Sequence, residues 1–313
     1  MNSLTFRLLQ VYQQIVDSGS VTAASTALSL SQPTVSLQLK KISSLFNMPL
    51  LEQQQGRLKM TEAGKAVYQC AQEVLSSQAR LNSYIQALQG MEVGSLKLAV
   101  VTTAKYVIPP LLSQFCEEHP GIDITLKVAN RAQIIDRLKN NRDDIYIFSQ
   151  PPKDLAIQCN PFLLNRLSVI APPNYDGPDN CRLEALTEHK FLLRETGSGT
   201  RKMIDDYCVS HNVSFKKTML IESNEAIRLS VNTGLGLAII SEQTLEHTPS
   251  DEVRVLNIED FPLHSYWQAI TLNSRPESLA ASAFKQFLTE HGDLSKPRVQ
   301  LCSTDDTFAI YSK

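Results

Sequence analysis

The chain has 313 residues, 42% of them hydrophobic, and a formal net charge of −2. That length is too great for one small hydrophobic core, so we expect two or three domains. The sequence has no apolar run of about 18 residues and no signal-peptide pattern at its start, so we expect no membrane partner and a cytoplasmic location.

Six cysteines lie far apart along the chain, and no two of them form a C-x-x-C pair. This spacing argues against a disulfide framework and against a zinc site. We therefore expect reduced, mostly buried cysteines, no bound metal and no cofactor. The six are Cys70, Cys116, Cys159, Cys181, Cys208 and Cys302.

The small net charge conceals an uneven distribution along the chain. Residues 1–90 carry seven basic and four acidic residues, a balance of +3, whereas the remainder carries 23 against 28, a balance of −5. A positive excess suits contacts with phosphate, and two copies of the chain would double it. The N-terminal part therefore favours a nucleic-acid site.

Three short helices are predicted at the N-terminus. The first has an apolar stripe and ends at Gly19, and the second covers residues 21–28. Ser31 or Gln32 can cap the third helix, and Pro33 fits its first turn, where no N–H is needed. Two short helices around a tight turn are the form of a DNA-reading helix-turn-helix. The stripe of the first helix is Leu8, Leu9, Tyr12, Ile15 and Val16.

The third helix separates its apolar residues from its polar ones. One stripe turns inward, formed by Val35, Leu39, Ile42 and Phe46. The other faces carry side chains that suit base edges and phosphates: Thr34, Ser36, Gln38, Lys40 and Lys41. Most small amphipathic helix pairs are only packing units, so the motif by itself leaves that alternative open.

A short hairpin predicted at residues 52–60 would make this unit a winged helix-turn-helix. Its wing would offer Arg57 and Lys59 to the DNA backbone or the minor groove. A long helix follows from residue 61 to about 89, and it predicts dimerisation through an apolar residue at every seventh position: Val67, Val74, Leu81 and Leu88. The alternative is a helix packed on its own domain. Gly90 and Gly94 indicate a hinge after it.

From residue 95 the pattern alternates strands with helices, which predicts the α/β class and a parallel sheet. Strands are predicted at 96–101, 122–128, 145–148, 167–171, 191–194, 220–222, 237–240 and 267–271. Helices are predicted at 105–118, 132–140, from 201 onward, 226–232 and 278–288. The chain is expected to cross back near residues 263–272, so that its last part completes the first of two α/β lobes.

Two loops in this region suit an anionic ligand. Residues 102–105 and residues 195–201 each end a strand and open a helix, whose N–H groups favour anions. Glycine and threonine are also ordinary capping residues, which is the alternative reading of both loops. If the loops face one cleft, the ligand is a small carboxylate or phosphate. The predicted effector-binding residues are Thr102, Thr103, Lys105, Asn130, Arg131, Ser149, Gln150, Gly199, Thr200 and Arg201.

The N-terminal motif resembles that of the LysR-type transcriptional regulators. The matching positions are Ser20, Ala23, Ala24, Leu28, Ser31, Gln32, Pro33, Val35 and Ser36. The later part resembles the periplasmic-binding-protein-like effector domain of the same family, through residues 97–100, 119–121 and 232–239. Stretches of the first lobe are similar to the branch that controls carbon-fixation operons, in which phosphorylated metabolites or reduced nicotinamide nucleotides are the usual effectors.

The resemblance implies a domain order. Residues 1–60 would be the winged helix-turn-helix and 61–90 the linker and dimerisation helix. Residues 91–292 would be the two-lobe effector domain, with lobe I at about 91–150 and 268–292 and lobe II at about 151–267, followed by a tail at 293–313. Family members form dimers and tetramers on promoter DNA, and a ligand then recruits or releases RNA polymerase.

The resemblance also implies which residues contact DNA: Ser20, Thr22, Ser31, Gln32, Pro33, Thr34, Ser36, Gln38, Lys40, Arg57 and Lys59. This chain departs from the family pattern at two positions. Gln53 stands where the family usually has arginine, and Leu37 stands where it often has a polar or basic residue. Both departures remove a group that could bind DNA.

The sequence gives less support to other classes of function. The motifs H-E-x-x-H, G-x-x-x-x-G-K and G-x-S-x-G are absent and the six histidines are dispersed, so we expect no enzyme and no catalytic residues. A solute-binding protein explains two lobes but not residues 1–90. An interaction module with weak or no specific DNA binding remains the alternative.

Overall fold

The computed structural model describes residues 3–54, 57–88, 93–245 and 252–292. The chain divides into two compact units. The first comprises Met1–Val93 with Asn140–Arg142, and the second comprises Gly94–Lys139 with Asp143–Lys313. No helix within the described ranges has the length and apolar character needed to cross a membrane.

The first unit is a winged helix-turn-helix followed by a long helix. Its elements are α1 Phe6–Ser18, α2 Val21–Ala27, α3 Gln32–Phe46, β1 Leu51–Gln54, β2 Arg57–Met60 and α4 Glu62–Leu88. Three short polar side chains, Thr5, Ser20 and Ser31, cap α1, α2 and α3 by accepting hydrogen bonds from N–H groups of the first turn. β1 and β2 form an antiparallel hairpin in which Leu51 pairs with Met60. The predicted order of elements is therefore observed.

The start of α4 packs closely on the rest of this unit. Gly64 lies there, and a Cβ atom at this position would come within 1.9 Å of the Leu50 carbonyl oxygen and 2.6 Å of the Tyr12 hydroxyl. That hydroxyl also donates a hydrogen bond of 3.2 Å to the Leu50 carbonyl. The approach fixes α4 against the wing and α1, and only glycine fits it. The core around it is formed by Leu8, Leu9, Tyr12, Ile42, Leu50, Val67, Tyr68 and Ala71.

The second unit alternates strands and helices as predicted. Its strands are β3 Gly94–Val101, β4 Ile122–Ala129, β5 Ile145–Phe148, β6 Ile157–Ala171, β7 Lys190–Leu193, β8 Lys217–Leu220, β9 Leu237–Ser241, β10 Arg254–Val255 and β11 Leu263–Leu272. Its helices are α5 Ile108–Glu118, α6 Arg131–Lys139, α7 Gly199–His211, α8 Asn224–Asn232 and α9 Leu279–His291. Three short 3₁₀ helices cover Thr102–Tyr106, Leu183–Leu186 and Glu242–Leu245.

Two lobes share one sheet, in the order β4-β3-β5-β11-β6-β9-β7-β8 among the described strands. In lobe I, β3 pairs in parallel with β4 and β5, and α5 and α9 cover it with an apolar core. In lobe II, β7 pairs in parallel with β8 and β9, and α7 and α8 cover its two faces. The antiparallel strands β6 and β11 run through both lobes and join them.

Strand β6 is much longer than the predicted strand at 167–171. It begins at Ile157, and its first half pairs with β11 and contributes Phe162 and Leu163 to the core of lobe I. The sequence concealed this half because Pro161 within it looks like a strand breaker. The register between the two strands shifts between Trp267 and Gln268, opposite that proline, and such an irregularity is where a sheet accommodates proline.

Two other predicted elements were wrong in detail. The helix predicted at 105–118 is observed as two pieces, a 3₁₀ helix at Thr102–Tyr106 and α5 at Ile108–Glu118. Pro109 and Pro110 occupy the first turn of α5, where their missing N–H groups cost nothing. The strand predicted at 220–222 lies three residues earlier, as β8. Both errors are errors of boundary rather than of element type.

The expectation of mostly buried cysteines was also wrong. Among the cysteines that the structure describes, Cys70, Cys116 and Cys159 are exposed, and Cys181 and Cys208 are half-buried. Cys302 lies outside the described residues, as does the whole predicted tail at 293–313.

Candidate functional site

The outward face of α3 is the first candidate site. Successive residues of an α-helix are rotated by about 100°, so Leu37 points away from the fully buried Val35 at about 200°. The exposed residues on this side are Pro33, Leu37, Lys40, Lys41 and Ser44, which together we call the reading face. It presents two lysines, one hydroxyl and one large apolar side chain to solvent.

The predicted DNA-contacting residues of α3 differ in exposure. Gln32, Pro33 and Lys40 are exposed, whereas Ser36 and Gln38 are half-buried on the flanks of the helix. The hydroxyls of Ser31 and Thr34 lie 2.8 Å apart, and Ser31 also caps the helix by accepting from the Thr34 N–H. Their oxygens therefore already have partners within the protein.

Outside α3, the predicted contacts lie on α2 and on the wing. Ser20 caps α2 by accepting a 3.1 Å hydrogen bond from the Ala23 N–H, and Thr22 is exposed beside it. Lys59 is exposed on β2. Arg57 begins β2, and its side chain is outside the described part of the structure.

The predicted dimerisation stripe of α4 has two different parts. Val67 is buried in the core of its own unit, and Val74 packs against that core. Leu81, in contrast, exposes 59% of its surface, with Tyr84 and Ile85 exposed nearby. The side chain of Leu88 is outside the described part. The N-terminal half of the stripe thus follows the alternative of a helix packed on its own domain.

The second candidate site is a small cavity of about 20 Å³ between the two lobes of the second unit. The ends of β3, β5 and β7 and the N-termini of α6 and α7 meet there. This is the edge where parallel sheets bind ligands. The lining residues are Val101, Thr102, Thr103, Arg131, Phe148, Ser149, Gln150, Arg194, Glu195, Ser198, Gly199 and Thr200.

A buried arginine organises the lobe II side of the cavity. Arg194 follows β7 and is only 3% exposed. Its guanidinium donates to both oxygens of the Glu195 carboxylate at 2.8 and 2.9 Å, and to Asn224 Oδ1 at 2.7 Å. The Asn224 amide in turn donates to the Thr103 hydroxyl of lobe I at 3.1 Å. One hydrogen-bonded chain therefore connects the two lobes at the cavity.

Arg131 provides the corresponding cation in lobe I. Its Nε and Nη2 atoms donate to the Gln150 carbonyl at 3.3 and 3.1 Å, which holds the guanidinium at the cavity. Burial lowers the pKa of Arg131, but a guanidinium stays charged under ordinary conditions. Arg131 and Arg194 face one carboxylate, Glu195, so cations exceed anions among the lining residues.

The N-terminus of α7 adds neutral donors to the same wall. The buried Ser198 side chain caps the helix by accepting from the Arg201 N–H. A Cβ atom on Gly199 would lie 3.2 Å from Ser149 Oγ, so glycine permits the close approach of α7 to the segment after β5. Backbone N–H groups at a helix N-terminus favour an anion in the cavity.

Three predicted effector-binding residues do not line the cavity. The Lys105 ammonium is 3.0 Å from Glu225 on α8, and this contact holds the pKa of Glu225 below its ordinary value. The Asn130 side chain accepts from the Gln133 N–H at 2.9 Å at the start of α6. Arg201 pairs with Asp205 at 2.7 Å and donates to the Arg194 carbonyl. Each of these side chains is held by a partner within the protein.

Sequence reasoning missed two members of the hydrogen-bonded chain at the cavity, Arg194 and Asn224. In the sequence Arg194 ends the strand predicted at 191–194, and Asn224 falls between the strand predicted at 220–222 and the helix predicted at 226–232. A signal existed for Arg194, since it directly precedes the glycine-containing loop at 195–201. Nothing in the sequence indicated that Asn224 would meet Thr103, because 121 positions separate them.

A winged helix-turn-helix combined with a two-lobe α/β domain around a polar cavity defines a ligand-responsive DNA-binding regulator. Comparison with protein families agrees with that class. Residues 6–65 match the model described as bacterial regulatory helix-turn-helix protein, lysR family, and residues 89–293 match the LysR substrate binding domain. The chain belongs to the LysR family of bacterial transcriptional regulators, as its motifs had indicated.

Relatives support the carbon-fixation branch. The chain is 37% identical to the HTH-type transcriptional activator CmpR of Synechocystis sp., covering 94% of this chain and 97% of CmpR. It is 33% identical to the RuBisCO operon transcriptional regulator of Acidithiobacillus ferrooxidans, covering 91% and 93%. Among solved structures, the Synechocystis CcmR regulatory domain in complex with 2-PG matches with a TM-score of 0.60 and 36% identity, covering 64% of this chain and 98% of that domain.

Proposed function

We propose that this regulator changes transcription when a small anionic metabolite binds between lobes I and II. The observation that carries the proposal is the placement of Arg131 and Arg194 on opposite lobes of one cavity. An anion there can accept hydrogen bonds from both guanidinium groups and from the N–H groups of α7. Binding would hold the lobes together.

The chain of contacts through Arg194, Asn224 and Thr103 supports coupling between ligand and lobe geometry. Because Arg194 donates to Asn224 and Asn224 donates to Thr103 of lobe I, a ligand that contacts Arg194 acts on a bond that already spans the lobes. A ligand shifts such an equilibrium only if it binds one arrangement more tightly than the other. Contacts to both lobes provide that difference.

The proteins that this chain resembles support this ligand class. The CcmR regulatory domain, one of the solved structures that this chain matches, was solved in complex with 2-PG. The RuBisCO operon regulator indicates a target of the same kind. We therefore propose 2-PG as the first compound to test, and operons of carbon fixation as the first candidates for regulation.

DNA binding is assigned to the first unit. Gln32, Ser36 and Lys40 of α3, with Lys59 and Arg57 of the wing, would contact promoter DNA. We propose that two chains dimerise through the exposed part of α4, around Leu81, Tyr84 and Ile85, and that dimers pair into tetramers. In this proposal the protein acts on the chromosome in the cytoplasm, contacts RNA polymerase and catalyses no reaction.

The test is calorimetric titration of the full-length chain with 2-PG, with inorganic phosphate as a second probe. We expect the wild-type protein to bind 2-PG, and Arg131→Gln to weaken binding about 10–100-fold, because one charge-assisted hydrogen-bonding group is lost. Arg182→Gln is the matched control, since Arg182 pairs with Glu259 on the exposed surface of lobe II.

Two outcomes would contradict the proposal. If neither probe binds, or if Arg131→Gln and Arg182→Gln bind 2-PG equally well, the cavity is not the effector site. Thr200→Ala is a second variant, because Thr200 lines the cavity and its hydroxyl is not a helix cap. A ligand-dependent change in the footprint on the DNA upstream of this gene would link binding to transcription.

A further inference from the structure

Leu37 is unusual among the residues of the reading face. It exposes 65% of its surface at the centre of a helix face whose other exposed residues are one proline, two lysines and one serine. A single exposed leucine is ordinary on a protein surface. Its place requires an explanation, because the other large aliphatic residues of α3 are buried, as Val35 and Ile42 are, or half-buried against the core.

The geometry of α3 places Leu37 between other exposed residues. Pro33 lies one helical turn before it and Lys41 one turn after it, on the same side of the helix. Lys40 and Lys41 in the later half of the helix suit phosphates on the groove edge. When the helix enters the major groove, Leu37 therefore faces the base edges.

The polar residues on either side of Leu37 do not lie at the centre of the reading face. Ser31 and Thr34 hydrogen-bond to each other and to the first turn of the helix. Ser36 and Gln38 are half-buried on the two flanks. The centre of the reading face is consequently apolar, and whatever it contacts must tolerate the loss of water.

The major groove offers one apolar group, the 5-methyl group of thymine. A leucine against that methyl group buries apolar surface from both partners, whereas a leucine against the amino groups of cytosine or adenine deprives them of water without a bond. We propose that Leu37 packs on a thymine methyl group and so selects an A·T pair at one position of each half-site. The inference rests on the proposed DNA-binding function and extends it to sequence preference.

Uracil tests the proposal because it differs from thymine only by the missing methyl group. A duplex is first selected from a random library with the full-length wild-type protein. Each thymine of that duplex is then replaced in turn by deoxyuridine, and the dissociation constant is measured at fixed salt. We expect the replacement at one position per half-site to lower the affinity about four-fold, which corresponds to the burial of roughly one methyl group.

The same duplexes are then measured with Leu37→Ala. This variant should lose affinity for the thymine duplex by a similar factor and should respond less than two-fold to uracil at the sensitive position. Leu37→Met should retain the response, because it keeps an apolar side chain of similar size. Leu229→Ala, at an exposed leucine of α8, is the matched control and should respond to uracil as the wild type does.

The proposal is overturned if the wild type and Leu37→Ala respond equally to uracil at every position. It is also overturned if Leu37→Ala changes the mass of the protein in light scattering while keeping the uracil response, since Leu37 would then contact a second copy. If the wild type selects no sequence at all, the assignment of DNA binding fails together with this inference, and that result is distinct from the other two.

Discussion

The reading face and the interlobe cavity hold their charges in opposite ways. Lys40 and Lys41 extend from α3 into solvent, whereas Arg194 is almost wholly buried between Glu195 and Asn224. Exposed charges are screened by salt and can move, so each contributes modestly and independently. A buried charge is fixed by its partners, so its loss affects all of them. We therefore expect graded effects at the DNA surface and abrupt effects at the cavity.

The largest effect is expected for Arg194→Ala. This change leaves Asn224 and the mostly buried Glu195 without their partner, and breaking such a buried pair costs about 3–5 kcal/mol of folding free energy. Urea unfolding followed by tryptophan fluorescence measures it, because Trp267, the one tryptophan of the chain, lies in the second unit. Arg182→Ala is the control and should unfold almost as the wild type does. Equal midpoints for the two variants would contradict the difference between buried and exposed charges.

The next largest effect is expected for Gly64→Ala, which affects the unit that carries the reading face. The added Cβ atom meets the Leu50 carbonyl oxygen, and such overpacking costs about 1–3 kcal/mol. In urea unfolding, part of the helix signal in circular dichroism should be lost at a lower urea concentration, while the midpoint of the Trp267 fluorescence transition should not change. Ser77→Ala, at an exposed position of α4, is the control. If both signals shift together, the two units do not unfold separately.

A smaller effect, specific to the DNA surface, is expected for Lys40→Ala. Loss of one phosphate contact should weaken DNA binding and reduce the slope of log K against log salt by about 0.9 per contact. Binding of 2-PG should not change, because the cavity is in the other unit. Measuring both affinities between low and physiological salt checks the prediction. An unchanged salt slope would show that Lys40 does not contact phosphate.

The smallest effect is expected at the contact between Lys105 and Glu225, which joins the lobes beside the cavity. The hydrogen bond from Lys105 lowers the pKa of Glu225, so its contribution is present above the ordinary glutamate value of 4.5 and is lost as the pH falls below it. The Glu225 side chain is half exposed, so solvent screening limits the contribution to about 0.5 kcal/mol or less. The difference between wild type and Glu225→Gln in Trp267-monitored unfolding should exist at pH 7 and shrink as the pH falls below 4.5. A stability difference that does not change with pH would show that it does not come from the ionised Glu225 carboxylate.

The two sites differed in how far the sequence could predict them. Helix α3 was predictable because its signals are local. Ser31 caps it, Pro33 occupies its first turn, and Val35 and Ile42 lie on one apolar stripe. Its start was expected and is observed at Gln32. All the information needed lies within about fifteen consecutive residues of the chain.

The cavity was only partly predictable because its geometry depends on distant parts of the chain. The loops at the ends of β3 and β7 were expected to converge, and they do. Lys105 was expected to face the ligand, but its ammonium instead pairs with the Glu225 carboxylate of α8. The length of β6 was missed for a similar reason, since only pairing with β11 reveals that Pro161 does not end the strand.

The two strands that join the lobes also limit how the protein can respond to a ligand. β6 and β11 are paired along most of their length by backbone hydrogen bonds, from Leu263 opposite Leu167 to Leu272 opposite Ile157. Sliding one strand along the other would break that ladder, whereas bending both together preserves it. The connection between the lobes therefore resists sliding of the strands and permits bending. We expect a ligand in the cavity to move the lobes by deforming β6 and β11 together rather than by sliding one strand along the other.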